Sequence, residues 1–224
     1  MKKAIVILLS LTMILGLTAC GNSASQTEQP STEDTSVESK ADTESAENGT
    51  DMENTDNQDV QNHKALVAYF SATGTTKGVA EHIANGLNAD IYEIVPEEPY
   101  TDADLDYNDN NSRTTIEMND PDARPAISGS VENMEQYDII FVGYPIWWGE
   151  APRIVSTFME SYDFSGKTIV PFCTSGGSGI GSSASNLERL TSGATWLDGQ
   201  RLNGSDSQDT VMEWVNSLDL NLAE

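Results

Sequence analysis

Small hydroxyl residues and one glycine make up most of residues 71–77, Ser-Ala-Thr-Gly-Thr-Thr-Lys, between an apolar run and a helical stretch. A loop of this kind lets the backbone wrap closely around a phosphate, and the N-terminus of the following helix adds free N–H groups and a partial positive charge. The pattern is neither the GxxxxGK[ST] loop nor the GxGxxG loop. It predicts a phosphate site without an arginine, and the predicted contacts are Ser71, Thr73, Gly74, Thr75 and Thr76.

Two adjacent tryptophans follow another apolar run, in residues 143–152, Gly-Tyr-Pro-Ile-Trp-Trp-Gly-Glu-Ala-Pro. Two such rings at the end of a buried strand cannot both enter the core. We therefore expect one to pack beneath the loop and the other to offer a stacking surface for a flat ring. The predicted contacts are Pro145, Ile146, Trp147, Trp148 and Gly149, and Glu150 is interpreted as a cap for the next helix.

The third loop, residues 174–181, contains four glycines in Thr-Ser-Gly-Gly-Ser-Gly-Ile-Gly. Glycines permit tight turns and leave backbone N–H groups open to a ligand. The predicted contacts with the polar edge of a ring are Ser175, Gly176, Gly177 and Ser178. A phosphate loop, an aromatic plate and a set of amides together predict a site for flavin mononucleotide (FMN), with no catalytic side chain.

These motifs resemble the flavodoxin-like family, in particular lipoprotein-associated short-chain members. Ser71, Thr73, Gly74 and Thr76 match the family's SxTGxT pattern, and Tyr-Pro-Ile-Trp-Trp-Gly is similar to the flavodoxin aromatic loop and to the Pro-x-x-Trp-Phe-Gly loop of flavin quinone reductases. The resemblance covers residues 64–224 and implies bound FMN and electron transfer. Flavodoxins place an aromatic just before such a glycine, which implies that Trp148 is the stacking residue.

Strands and helices alternate through residues 64–224. Short apolar runs predict buried strands, and apolar residues at i, i+4 and i+8 predict helices, the last of them capped by Asp206. The predicted strands are 65–70, 91–95, 138–143, 167–173 and 194–197, and the predicted helices are 75–87, 152–162, 183–190 and 206–218. Alternation indicates an α/β fold, a doubly wound five-stranded parallel sheet with helices on both faces and, by its class, the flavodoxin order 2-1-3-4-5.

Residues 96–130 interrupt this alternation and show no strong periodicity. A segment of this length predicts local helix or function, such as a lid that carries Tyr100, Tyr107, Arg113 and Arg124. For Arg124 the alternatives are neutralisation of a substrate's charge and a surface salt bridge.

The N-terminal sequence is typical of a processing signal. Lys2 and Lys3 precede an apolar run that is short for a stable membrane span, and Leu-Thr-Ala at 17–19 leads to Cys20. The run 17–20 resembles the lipobox of bacterial lipoproteins, which implies export, cleavage of residues 1–19 and lipidation of Cys20; the alternative is a plain secretory signal. Residues 20–63 are predicted to be a disordered acidic linker.

Charge and residue counts limit the remaining function classes. The chain carries a formal charge of −25, and residues 64–224 alone carry −17, which argues against nucleic acid as a partner and favours a partner with a positive face. Cysteine occurs only at 20 and 173 and histidine only at 63 and 82, so neither a disulfide nor a metal site is predicted. Cys173 is interpreted as a buried strand residue.

Three functions remain open. The first is an FMN-dependent electron carrier at the outer face of the cytoplasmic membrane, with a redox protein or a small acceptor as its partner. The second is an FMN-dependent NAD(P)H oxidoreductase of the quinone or flavin reductase type. The third is a ligand-binding module without redox activity. The sequence predicts no oligomeric state.

Overall fold

The computed structural model describes residues 63–220. The proposed signal, Cys20 and almost all of the proposed linker lie outside this range. The helices are α1 (Thr75–Leu87), α2 (Arg113–Asn119), α3 (Arg153–Glu160), α4 (Ser183–Glu188) and α5 (Gln208–Asn216). The strands are β1 (Ala65–Tyr69), β2 (Asp90–Glu93), β3 (Val95–Pro96), β4 (Ile127–Ser128), β5 (Ile139–Pro145), β6 (Thr168–Thr174), β7 (Thr195–Trp196) and β8 (Gln200–Leu202), with a 3-10 turn at Met134–Gln136.

The main sheet has the order β2-β1-β5-β6-β7, with β8 also paired to β6, and every pair is parallel. Its central strands β1, β5 and β6 are buried on both sides, as continuous apolar runs predict. One hydrophobic cluster covers each face, one built with α3 and α4 and the other with α1 and α5. The predicted α/β fold and strand order are confirmed.

The fifth position of the sheet is divided between β7 and β8, and Pro171 explains the division. The carbonyls of Lys167 and Ile169 point toward this position and accept hydrogen bonds from Thr195 and Leu197. Two residues further along β6, the backbone of Pro171 faces the same neighbouring position, but proline has no N–H to donate. The ladder stops there and resumes at Phe172, which is in register with Gln200 in β8.

Three local predictions are wrong. Strand 91–95 is divided, because Val95 leaves the main sheet and pairs with Ser128 in a small antiparallel ladder. Helix α5 is capped by Ser207 and not by Asp206, because the Ser207 hydroxyl accepts a hydrogen bond from the Thr210 N–H at 3.3 Å. The Asp206 carboxylate accepts instead from the Asn203 N–H at 2.7 Å.

The third concerns Glu150, which does not cap α3. Helix α3 begins after Pro152 without a side-chain cap. The Glu150 carboxylate instead accepts from the Ser182 hydroxyl at 3.2 Å and the Asn186 amide at 2.8 Å, so it ties the aromatic loop to α4.

Candidate functional site

The three predicted loops leave the carboxyl ends of adjacent strands β1, β5 and β6 and meet at one cleft of about 320 Å³. This is where open parallel sheets bind ligands. The cleft is lined by Ser71, Ala72, Thr73, Thr75, Thr76, Tyr107, Pro145, Ile146, Trp147, Thr174, Ser175 and Gly176. None of these residues carries a carboxylate, an imidazole or a basic group, so neutral donors would have to hold an anion there.

The first loop presents the N-terminus of α1 to the cleft. Gly74 precedes the helix with a φ of +85°, in the left-handed region that favours glycine, and no side chain caps the helix. Within residues 63–220, no protein acceptor takes the N–H groups of Thr75 or Thr76. These groups and the helix dipole form an anion-binding end of the kind that phosphates occupy.

The hydroxyls of this loop have different surroundings. Those of Thr73 and Thr75 lie 3.4 Å apart on the exposed side. The Thr76 hydroxyl is buried and lies 2.8 Å from that of Thr174 at the end of β6, so it joins the first loop to the third. Thr76 therefore has a structural partner that the sequence did not suggest, whereas Thr73 is open to solvent.

The aromatic loop is a two-residue hairpin turn. The N–H of Trp147 donates to the Glu150 carbonyl and the N–H of Glu150 donates to the Trp147 carbonyl, both at 2.9 Å. Trp148 and Gly149 between them have φ values of 48° and 81°, the pattern of a type I′ turn. A tryptophan rarely adopts this backbone conformation, which costs about 1–2 kcal/mol for an L residue other than glycine. Strain of this size is typical of functional sites.

The two tryptophan side chains separate as expected, one buried and one exposed. Trp147 is only 4% exposed and packs edge-on against Phe70 and Tyr100, at ring-centroid distances of 5.5 and 5.4 Å. Trp148 is 46% exposed, and its ring lies 5.1 Å from that of Tyr107. Trp148 is thus the tryptophan with a free face, although only Trp147 is among the residues that line the cleft.

The glycine-rich loop presents fewer open amides than predicted. The Ser175 hydroxyl donates to the Ser178 carbonyl and accepts from the Gly177 N–H at 3.3 Å. Ser175 and Gly176 line the cleft, whereas Gly177 and Ser178, like Gly74 and Gly149, do not. Gly177 has no free N–H because this group already donates to the Ser175 hydroxyl within the loop.

Three lining residues are absent from the predicted set. Ala72 and Thr174 lie within two of the predicted loops, although neither residue is among the predicted contacts. Tyr107 comes from residues 96–130 and reaches the cleft from outside the three loops. The sequence signal for Tyr107 was an aromatic residue within an Asp- and Asn-rich stretch. In the structure, partial burial raises the pKa of the Tyr107 hydroxyl.

Arginines fasten residues 96–130 to the fold. Arg113 braces the segment internally, because it lies over the Tyr100 ring at 4.2 Å and donates to the Glu117 carboxylate and the Glu98 carbonyl, both at 2.7 Å. Arg153 on α3 donates to the Met118 carbonyl at 3.0 Å.

Arg124 forms a two-pronged ion pair with Glu160, with hydrogen bonds of 2.7 and 2.8 Å. Of the two roles considered for Arg124, the structure shows the salt bridge. Arg124 and Arg153 therefore join the segment to α3, and Tyr107 is its one residue among those that line the cleft.

Cys173 is fully buried in β6, as expected, and burial raises the pKa of its thiol to about 11. Within residues 63–220, no group of three or more His, Cys, Asp or Glu side chains is placed to hold a metal ion. In the same range no helix has the length and apolar character required to cross a membrane.

Comparison with known proteins agrees with this geometry. Residues 64–218 match the family model described as flavodoxin. A candidate flavoprotein from Bacteroides eggerthii is 48% identical, over 71% of this chain and 99% of its own, with a TM-score of 0.67. A second, from Bacteroides uniformis, is 46% identical over 70% and 99% of the two chains, with a TM-score of 0.66.

A flavoprotein from Lactobacillus acidophilus, solved in complex with FMN, shares the fold at 23% identity and a TM-score of 0.52, over 68% of this chain and 99% of its own. No curated protein matches the chain. The family match spans well over half of the sequence, and the two Bacteroides structures match over nearly their whole length. This chain belongs to the flavodoxin family.

Proposed function

We propose that this chain is an FMN-dependent electron-transfer protein that a lipid on Cys20 holds at the outer face of the cytoplasmic membrane. The observation that carries the proposal is the convergence of three loops, each with a different chemistry, on one cleft at the carboxyl edge of the sheet. FMN is the cofactor of the flavodoxin family and of the Lactobacillus acidophilus complex.

The residues of the cleft fit the parts of FMN. The uncapped N-terminus of α1, with Ser71 and Thr73, suits a phosphate that carries two negative charges. Trp148 has a free aromatic face at the tip of the turn, and Gly176 brings backbone close to the cleft without a side chain. FMN supplies the redox chemistry when bound, while the chain's own residues bind and orient it.

Two features favour a carrier over a reductase. The cleft is lined by no carboxylate, imidazole or basic side chain that could move a proton to or from a substrate. The segment considered as a lid is joined to α3 by Arg124 and Arg153, which leaves little freedom for closure over a second substrate. A carrier needs only an exposed ring edge for its partner.

Features of the sequence support the proposed location and partner. The run Leu-Thr-Ala-Cys at 17–20 supports lipidation, and a diacylglycerol group supplies enough methylenes for stable attachment. The charge of −17 on residues 64–224 supports a redox partner with a positive face.

A titration tests the cofactor, and a rate measurement tests the function. Residues 64–224 should purify as a folded yellow protein that binds FMN at 1:1. The loaded protein should exchange electrons with a chemical reductant but should not oxidise NADH or NADPH steadily, with or without a quinone. Steady turnover would identify a reductase instead. A protein that stays colourless after addition of FMN would identify a module without flavin and would overturn the proposal.

A further inference from the structure

Arg201 in β8 lies against the glycine-rich loop. Its Nη2 donates to the Ser175 carbonyl at 3.3 Å and to the Asn203 side-chain oxygen at 2.8 Å. Within residues 63–220, no other basic side chain hydrogen-bonds a residue that lines the cleft. Arg201 itself is half-buried and does not line the cleft.

The guanidinium of Arg201 is incompletely compensated. Its Nε is buried without a hydrogen-bond partner, and among the described residues no carboxylate oxygen lies within 4.0 Å of it. Removing a cation from water without pairing it is costly. In a domain with so many acidic residues, the missing partner does not reflect a shortage of carboxylates.

The charge of Arg201 acts at the strand end beneath the cleft. Arg201 is in register with Cys173 on β6, and paired residues of neighbouring strands project from the same face of a sheet. Its charge opposes the rise that burial causes in the pKa of the Cys173 thiol. Cys173 is two residues before Ser175, so a positive potential lies under the loop that faces the cleft.

We propose that Arg201 is a positioning residue that holds the Ser175 carbonyl away from the cleft and places a positive charge beneath the glycine-rich loop, so that it raises the affinity of the site for reduced FMN relative to oxidised FMN. Reduced FMN carries more negative charge on its ring, and a fixed cation stabilises it more than the neutral oxidised ring. Residues 64–224 carry a net charge of −17, and the field of these charges disfavours reduction of the flavin. The local cation of Arg201 offsets part of this field. The proposal rests on the proposed function, since it concerns the same site.

A purely structural arginine would behave differently from a charge that acts on the cofactor. A structural role would change the affinities for oxidised and reduced FMN by the same factor. A charge effect would change mainly the affinity for reduced FMN. The ratio of the two dissociation constants, which the reduction potential reports, therefore separates the two roles.

The experiment uses the full-length protein in detergent and compares Arg201→Gln, Arg201→Lys and wild type. Arg201→Gln removes the charge and keeps a donor, whereas Arg201→Lys keeps the charge and removes the planar fork. We expect the ratio of the oxidised to the reduced dissociation constant to fall about tenfold in Arg201→Gln. This corresponds to a two-electron midpoint potential about 30 mV lower. Arg201→Lys should stay within about twofold of wild type.

Arg189→Gln is the matched control, because Arg189 is exposed at the far end of α4 and the substitution makes the same change in net charge. Its ratio should match wild type. The thermal midpoint of each cofactor-free variant shows whether it is folded, and Arg201→Met replaces Arg201→Gln if the latter does not fold.

An unchanged ratio in Arg201→Gln, or equal shifts in Arg201→Gln and Arg189→Gln, would overturn the inference while leaving FMN binding intact. A wild-type protein that does not bind FMN would instead overturn the proposed function, and the inference with it.

Discussion

Trp147 and Trp148 are neighbours in sequence, but the side chain of Trp147 is buried and that of Trp148 is exposed. The type I′ turn begins at Trp147, whose side chain points into the aromatic cluster with Phe70 and Tyr100, and it places Trp148 at the tip with a strained backbone. The two residues should therefore respond differently to truncation. Trp147 is buried and lines the cleft, whereas Trp148 is exposed at the tip of the turn.

Trp148→Ala should weaken FMN binding while the fold survives. Stacking on an aromatic side chain is worth roughly 1–3 kcal/mol per ring, which corresponds to a loss of affinity of about 5- to 150-fold. Quenching of flavin fluorescence should decrease at the same time, and Trp148→Phe should retain most of both. Titration of FMN by fluorescence measures the two quantities together.

Trp147→Ala is the contrasting variant. Because Trp147 is almost fully buried, its loss should reduce the free energy of unfolding by about 3–5 kcal/mol, while the protein that remains folded still quenches bound flavin. Wild-type affinity and full quenching in both variants would mean that the ring does not stack on this turn.

The strain at Trp148 predicts a conflict between stability and binding. Cofactor-free Trp148→Gly should have a free energy of unfolding about 1 kcal/mol higher than that of Trp148→Ala, because both variants lose the contact with Tyr107 but only glycine adopts a φ of 48° without penalty. Both variants should lose FMN affinity. Urea unfolding of the two variants without cofactor measures the first effect, and a Trp148→Gly variant that is less stable than Trp148→Ala would show that the turn is not strained.

At the scale of elements, helix α1 is the part of the fold that we expect to select a phosphate. Riboflavin has no phosphate, so it should bind at least about tenfold more weakly than FMN, a difference of about 1.4 kcal/mol. Thr73→Val should weaken FMN and leave riboflavin unchanged, because the Thr73 hydroxyl is exposed beside the N-terminus of α1. Equal affinity of wild type for FMN and riboflavin would exclude α1 as the phosphate site.

Residues 96–130 are the other element that shapes the site, and their ion pair has a predictable pH dependence. Arg124 holds the pKa of Glu160 below its usual value through their hydrogen bonds. A carboxyl with a lowered pKa contributes stability above its unfolded-state pKa, and this contribution is lost as the pH falls through the folded-state pKa.

A double-mutant cycle with Arg124→Gln and Glu160→Gln measures this contribution by urea unfolding. The coupling energy should be about 0.2–1 kcal/mol at pH 7, since the pair is partly exposed. It should be smaller at pH 2, because the Glu160 carboxyl gains protons as the pH falls. A coupling energy that is the same at both pH values would show that the pair is not electrostatic.

At the scale of the whole molecule, the proposed anchor and the site are separate in sequence. Cys20 lies outside the described residues, and more than forty residues separate it from the first strand. Cys20→Ala should therefore move the protein out of the membrane fraction without changing its FMN affinity. Fractionation and an absorbance spectrum test both parts. A variant that stays in the membrane fraction would show that the uncleaved N-terminal segment, not lipid, is the anchor.

The sequence by itself determined the fold class and the three loops of the site, whereas the strand order was inferred only from the fold class. It did so because buried parallel strands are continuous apolar runs and because glycine, hydroxyl and aromatic residues at strand ends are local signals. Pattern also placed α1 at its observed bounds, Thr75–Leu87.

Only the tertiary structure decided which side chains are free to act, since this depends on contacts between residues far apart in the chain. Thr76 is bound to Thr174, Glu150 to α4, and Gly177 to its own loop, and none of these partners is marked by spacing. Tyr107 reaches the cleft because arginines fasten its segment to the fold. Arg201 lies beneath the third loop because Pro171 ends one ladder and lets β8 begin another.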